Sequence, residues 1–300
     1  MKAISYSLFG YERERHKDCF DFNSYLRGLH ICIRFNRILF PNWVNVLNID
    51  HATYNSPYKK IFDWHVDKGW LRLSFQDSGT PLCKAMLWRL KTVFDYDHPD
   101  WRYTHVICRD LDSIATYREA QMVQQWVDED KAIHCITDSI SHTIPMMGGM
   151  VGFRPGYIND LLQLNINPEA AWEKLLSFAP DIDYIRKGSD QDFLNRVVHP
   201  KCAHHATEHF ILGMRHDVIE ENGRHYSLDT SIKPEGVSDE MKALLEEKKL
   251  AGHVGAAGFY ETPTMYFLNR HDPYRDEYKE LEEMQEFDKI FYWRTREDLR

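Results

Sequence analysis

Apolar positions along the chain fall into short runs of two kinds, continuous or alternating runs suited to strands and runs with helical spacing. Ala3 to Phe9 (AISYSLF) is apolar and β-rich and stops at Gly10, which predicts a buried first strand. Tyr25 to Leu39 predicts a helix, and after the break at Pro41-Asn42 the run Trp43 to Asp50 (WVNVLNID) predicts a second strand. Tyr58 to Lys68 is patterned as a helix, Trp70 to Phe75 as a strand, Lys84 to Phe94 as a helix and Thr104 to Cys108 as a strand. Such alternation predicts a mostly parallel sheet covered by helices.

Further on, Thr116 to Asp130 predicts an amphipathic helix, AIHCI a short strand, and HTIPMMGGMVGF a glycine-rich turn that enters another apolar segment. Ala170 to Phe178 and Gln191 to Val198 are expected to be helical. The last third is less regular, with a histidine-rich patch, a charged helix from Asp239 to Lys249, the small-residue stretch AGHVGAAGF and an acidic helix around Tyr274 to Asp288. No repeat or low-complexity linker interrupts the 300 residues, so a single α/β domain with C-terminal helical additions is expected. Its parts would be 1–115, 116–268 and a tail at 269–300.

Charge narrows the functional classes. A formal net charge of −9 would repel a polyanion, so general nucleic-acid binding is not expected. Six cysteines without a CxxC pair are those of reduced thiols in a cytoplasmic setting. The N-terminus reaches charged residues too early for a secretory leader, and no apolar run is long enough to span a bilayer.

The chemistry concentrates at the end of the strand THVIC, where Asp110 and Asp112 stand one residue apart. Strand ends are where such sheets bind ligands. Two carboxylates in a D-x-D turn can place oxygens around one hard divalent cation and leave its other positions open to phosphate; a solvated turn or a helix cap is the plainer alternative. Gly148 and Gly149 would let a backbone approach a sugar or phosphate closely, or merely make a turn. Asp190, Gln191 and Asp192 open a helix, where acids are favoured whatever the function. His253 lies among small residues. The patch of His199, Cys202, His204, His205 and His209 has zinc-ligand types without a recognised spacing.

Taken in order, SYSLFG, MLWRL, RDLDS, YREAQMVQQW, GGMVG and HVGAAGF resemble a sparsely described family of GT-A glycosyltransferases, enzymes with a Rossmann-like sheet that use nucleotide sugars. In that family SYSLWG, RDxDS, RExxAVxxW, HxMRDHPxH and ILGGMWG follow one another. The resemblance is dense over residues 3–155 and thin beyond. DQDFLN is similar to the DQxxLN segment of glycogenin-like retaining transferases. The resemblance implies that Asp110, Asp112 and His253 hold Mn²⁺ or Mg²⁺ with the donor diphosphate. It further implies that Gly148 and Gly149 line the donor sugar, that Asp190 or Gln191 faces the anomeric carbon, and that Arg89, Arg109 and Ser113 contact the donor. Where the family has RDHPxH this chain has TDSISH, which keeps Asp138 and His142 but loses the arginine, and GGMVG replaces GGMWG. Substrate choice therefore does not carry over.

The leading expectation is a metal-dependent glycosyltransferase acting on a nucleoside-diphosphate sugar, a UDP-sugar first, with an acceptor hydroxyl on a glycan, a protein or a modified nucleobase. Retention of configuration is expected from the DQD cluster; an inverting enzyme would use Asp138, Asp190 or Asp192 as general base. The alternatives are a phosphatase of the haloacid-dehalogenase type using Asp110 and Asp112, whose first motif normally lies near the N-terminus, and a non-catalytic sugar-binding protein on the same fold.

Overall fold

A computed structural model describes residues 1–11, 22–95, 103–139, 142, 144–164, 167–184, 186–210, 231–248, 254–255 and 262–290. Seven strands form one sheet: β1 (Lys2–Leu8), β2 (Trp43–Asp50), β3 (Leu71–Gln76), β4 (His105–Arg109), β5 (Ile133–Thr137), β6 (Met150–Phe153) and β7 (Ala206–Phe210). Their spatial order is β3-β2-β1-β4-β6-β5-β7. The β1-β2, β1-β4, β2-β3 and β5-β7 pairs are parallel, and β6 runs antiparallel to both β4 and β5. The protein is thus α/β with a mostly parallel, Rossmann-like mixed sheet. Strand order reverses between β1 and β4, the kind of switch point beside which open sheets bind ligands at strand carboxyl ends.

Side-chain alternation along β1 assigns the two faces. Ile4, Tyr6 and Leu8 pack with α1 (Phe22–Leu39) in one core, whereas Ala3 joins the other, which contains Leu87, Leu90, Val106, Cys108 and Phe193. After β2 come α2 (His51–Tyr54) and α3 (Lys59–Asp67), and Ile61, Phe62 and Trp64 of α3 belong to the first core. The segment expected as a helix over Lys84 to Phe94 is instead a short turn, α4 (Leu82–Ala85), followed by a nine-residue 3₁₀ helix, Met86–Phe94. Runs of 3₁₀ beyond three or four residues are uncommon. Polar groups on β1 hold this one: Ser5 Oγ donates to Arg89 O at 2.8 Å, and Arg89 N donates to Ser7 Oγ at 2.9 Å. Thr92 Oγ1 lies 2.8 Å from Ser5 Oγ, and Asn48 Nδ2 donates to Ser5 Oγ and Tyr6 O.

Beyond it come α5 (Tyr117–Asp128), whose N-cap Thr116 accepts from Glu119 N, then α6 (Pro155–Leu161), α7 (Pro168–Ser177) and α8 (Ser189–Phe193). A π-helical stretch, Leu194–Val198, follows α8 directly. The histidine-rich patch contains a helical turn and β7, an edge strand that its polar composition concealed. The acidic tail is broken into short turns, Arg275–Tyr278 and Lys279–Glu282, and a further helix spans Thr262–His271. Among the described residues, no helix is long and apolar enough to cross a membrane, and Cys32, Cys83, Cys108, Cys135 and Cys202 are unbridged.

The tail docks on α1. Arg34 Nε pairs with Asp272 at 2.7 Å, both side chains being fully buried, and the Arg34 guanidinium lies over the Tyr278 ring. Tyr278, Leu281, Phe287 and Ile290 share a core with Ile4 and Leu26. Removing one partner of such a pair strands a charge and costs about 3–5 kcal/mol, whereas replacing both with apolar groups is often neutral. Asp272→Ala leaves Arg34 only the partly exposed Glu282 carboxylate, 3.5 Å from its Nη1, and is expected to lower the melting temperature by on the order of 10 °C or less. Calorimetry on that variant and on an Arg34→Met/Asp272→Leu pair should show most of the loss recovered in the latter.

Candidate functional site

The carboxyl edge of β4 is built by alternation. Arg109 ends the strand pointing into the α1/α5 side, where Nη1 pairs with Glu119 at 2.6 Å with both groups almost fully buried. Arg109 Nη2 donates to Ser113 Oγ at 3.0 Å and to Ile114 O at 3.2 Å, so the turn after β4 is tied from beneath. Leu111 is buried in the same core. Asp110 and Asp112 are left half-buried at the edge. Arg109 and Ser113, expected to contact a donor, are buried and form a brace behind the D-x-D turn.

Arg89 comes to this edge from the 3₁₀ helix. Its guanidinium pairs through Nη1 with Asp110 Oδ1 and through Nη2 with Asp190 Oδ2, the latter at 2.6 Å. Asp190 lies in the first turn of α8, behind Gly188, which holds a φ of 89°. The Asp190 side chain is only 1% exposed, and its Oδ1 has no hydrogen-bond partner among the described residues. Gln191 beside it is half-buried, and Asp192 is exposed.

Gly148 and Gly149 complete the wall. They sit in a turn closed by a Met150 N to Met147 O hydrogen bond of 2.9 Å. Neither has a positive φ, so what they supply is room. A Cβ on Gly148 would overlap the Asp190 carboxylate and the Arg89 guanidinium, and one on Gly149 would overlap the Asp110 carboxylate. Gly152, the third glycine of the motif, lies against the Trp126 ring instead, where a Cβ would come within 2.8 Å.

Tyr25, which the sequence did not single out, donates its hydroxyl to Asp112 Oδ2 at 3.3 Å from the first turns of α1. Its only sequence signal is an aromatic residue at the start of a helix that follows the first strand.

Electrostatics follow from burial. Asp112 is pushed up to about 6, chiefly by burial and then by the Asp110 charge. Burial also raises the Asp190 carboxyl, with Arg89 pulling it down and Asp110 adding to the rise. Burial works against the Arg89 charge, yet Asp110 and Asp190 together hold its pKa above the ordinary arginine value. Burial and then Asp112 and Asp110 raise the Tyr25 phenol, which stays protonated as a donor.

Asp138 follows β5 at the same edge but is committed elsewhere: its buried carboxylate pairs with Arg118, and Oδ2 accepts from Val254 N at 2.7 Å. Its backbone N–H donates to His142 Nδ1 at 3.3 Å. The turn at Val254 and Gly255 is thereby held close to Met150, which a Cβ on Gly255 would overlap. His253, the expected third metal ligand, lies outside the described residues. Among the described residues no three His, Cys, Asp or Glu side chains stand together as a metal site. The histidine-rich patch is dispersed accordingly. His199 Nε2 lies 2.9 Å from Glu208 Oε1, His209 lies between His134 and Gln125, Cys202 is core, and His204 and His205 are exposed.

The structure thus brings Arg89, Asp110, Asp112, Gly148, Gly149 and Asp190 together at one end of an α/β sheet. No family model matches the chain, and no curated protein does either.

The two kinds of glycine make separable predictions. Gly149→Ala is expected to displace the Asp110 carboxylate from Arg89 with a small change in melting temperature and, under the metal reading proposed below, to cut divalent-cation affinity at least tenfold. Gly152→Ala should do the reverse, costing about 1–3 kcal/mol through overpacking on Trp126 while leaving affinity near wild type. Calorimetric titration with Mn²⁺ and thermal melts of both variants check this.

Proposed function

We propose that the protein is a glycosyltransferase of GT-A type, moving a sugar from a nucleoside-diphosphate sugar to an acceptor hydroxyl. The observation that carries the reading is the convergence of a D-x-D pair, a buried arginine, a buried acid and a side-chain-free glycine turn at the carboxyl edge beside the switch point.

The donor set suits Mn²⁺ or Mg²⁺. Asp110 and Asp112 offer only oxygens, and a cation of this kind is commonly held by one or two carboxylates together with substrate phosphates. A bound cation would offset charge developing on the departing diphosphate. Arg89 supplies a second positive charge that is fixed in place and never lost by titration. The turn at Gly148 and Gly149 lets the Asp190, Arg89 and Asp110 side chains close against its backbone where any Cβ would intrude, which packs the charged groups of the site together. Asp190, held by Arg89, keeps an unpartnered oxygen within the site. In this reading that oxygen steadies positive charge developing at the anomeric carbon, and with a retaining outcome the acceptor attacks from the leaving-group side. Tyr25 orients Asp112 through its hydroxyl. Asp138, already engaged by Arg118 and the Val254 N–H, fits a bracing role better than that of a general base.

A thermal-shift panel of UDP-, GDP-, ADP-, CMP- and dTDP-sugars, each with and without Mn²⁺, tests the assignment. Stabilisation by one sugar nucleotide only when Mn²⁺ is present is expected, about 2.7 kcal/mol at a hundredfold excess over Kd. Asp112→Ala should abolish that response and donor turnover with little change in the melting temperature of the free protein. Turnover retained in metal-free buffer would sink the assignment, and phosphate release from simple phosphomonoesters without any sugar-nucleotide response would favour a phosphatase.

Acid should act on the same carboxylate. The ionised form of Asp112 is the ligand, so affinity for Mn²⁺ is fully developed above about pH 6 and falls below it as the proton competes. Titration at pH 7 and pH 5 is expected to show close to a tenfold weaker Kd at the lower value; equal affinities would remove Asp112 from the ligand set.

A further inference from the structure

Asn195 lies in the π-helical stretch one turn beyond Asp190 and Gln191. Its side-chain amide makes three hydrogen bonds: Oδ1 accepts from Met146 N at 3.0 Å, while Nδ2 donates to Met146 O at 2.8 Å and to Gln191 O at 2.8 Å. Both N–H bonds of the amide and its carbonyl are used, and only one orientation of the group satisfies all three. Met146 is the residue from which the Met147–Met150 turn springs, and its side chain is locked in the second core. At its far end the turn enters β6, where Met150 is registered against Arg109 of β4. Gly148 and Gly149 are therefore suspended between two anchors, a strand paired with the one that carries the D-x-D turn and the Asn195 side chain just beyond the helix that carries Asp190.

We propose that Asn195 is a positioning residue of the site. It fixes the distance between the glycine turn and the Asp190 helix, and so sets the floor on which the donor sugar lies. This rests on the glycosyltransferase reading for its functional meaning, but the mechanical part stands on the hydrogen bonds alone. The glycine turn has no tolerance in this direction, because Gly148 is already against both the Asp190 carboxylate and the Arg89 guanidinium. A displacement of about 1 Å in a substrate-positioning wall can cost on the order of a hundredfold in rate. The amide touches no part of Asp110, Asp112 or Arg89, and it reaches Asp110 only through Gly149 of the turn it holds.

Asn195→Ala in the full chain tests this with readouts that a purely structural role would leave alone. Amide hydrogen exchange at Met150, which closes the turn, is expected to accelerate at least tenfold, while the β4 amides at Val106 to Cys108 are unchanged. Donor turnover should fall roughly a hundredfold in kcat, a larger loss than any in Mn²⁺ affinity, which the turn reaches only through Gly149. Asn195→Asp keeps the size and the acceptor for Met146 N–H but sets an anionic oxygen against two carbonyls; it should loosen the Met150 amide as alanine does, and it serves if the alanine variant does not fold. Unchanged exchange at Met150, or a lower melting temperature with kcat intact, would overturn the proposal, as would failure of both variants to fold. If the wild-type protein turns over no sugar nucleotide, the functional reading fails, while the exchange comparison still decides whether Asn195 clamps the turn.

Discussion

Asp110 and Asp190 reach the same place from distant parts of the chain, in surroundings from which burial has removed much of the water, and two carboxylates there repel strongly unless a cation lies between them. The Arg89 guanidinium is that cation. Its planar fork suits two carboxylates at once, which the point charge of a lysine would not match in geometry. Most of what surrounds the site follows from the need to hold this one group in position. The 3₁₀ helix must be seated firmly: Ser5 and Ser7 hold its backbone at Arg89, and Ser5 and Asn48 hold the hydroxyl of its Thr92. The facing wall must carry no side chain, and it is made of glycine.

A second tier of bracing keeps the acids in place without touching a ligand. Arg109 and Glu119 form a buried pair behind the D-x-D turn, and Cys32 of α1 lies against the Ser113 carbonyl at 3.3 Å. Asp138 and Arg118 do the same for the turn at Val254. Charges that looked equally available to a substrate thus divide into an inward set, neutralised in pairs, and an edge set of Asp110, Asp112, Arg89 and Asp190.

Periodicity made most of the sheet legible. The expected strand at Trp43 to Asp50 matches β2, and β1, β3, β4 and β5 lie within a residue or two of their apolar runs. β7 was hidden because its side chains are polar yet satisfied by partners: Thr207 by Glu129, Glu208 by His199 and His209 by His134. No hydrophobic pattern can announce such a strand. The 3₁₀ winding at Met86–Phe94 was likewise invisible, since it is imposed by hydroxyl groups on a strand some eighty positions earlier in the chain. Of the site, the D-x-D pair, the glycine pair and Asp190 were readable as motifs. Arg109 and Ser113 entered through the resemblance alone; Arg109 is turned inward because neighbouring residues of a strand face opposite ways, and Ser113 is tied to it. Tyr25 and Asn195 act through contacts that only the fold creates.

The sequence distance between the acids of the site also matters during synthesis. Arg89 and Asp110 are made early as a one-to-one pair, but the second acid on the arginine is 101 positions beyond it. A chain still emerging, or one cut short before α8, lacks Asp190 on its arginine and the Asn195 clamp on its glycine turn. Non-local pairings of this kind are the slow ones in folding. The two-acid arrangement around Arg89 is therefore complete only in a chain that has been read through Asp190.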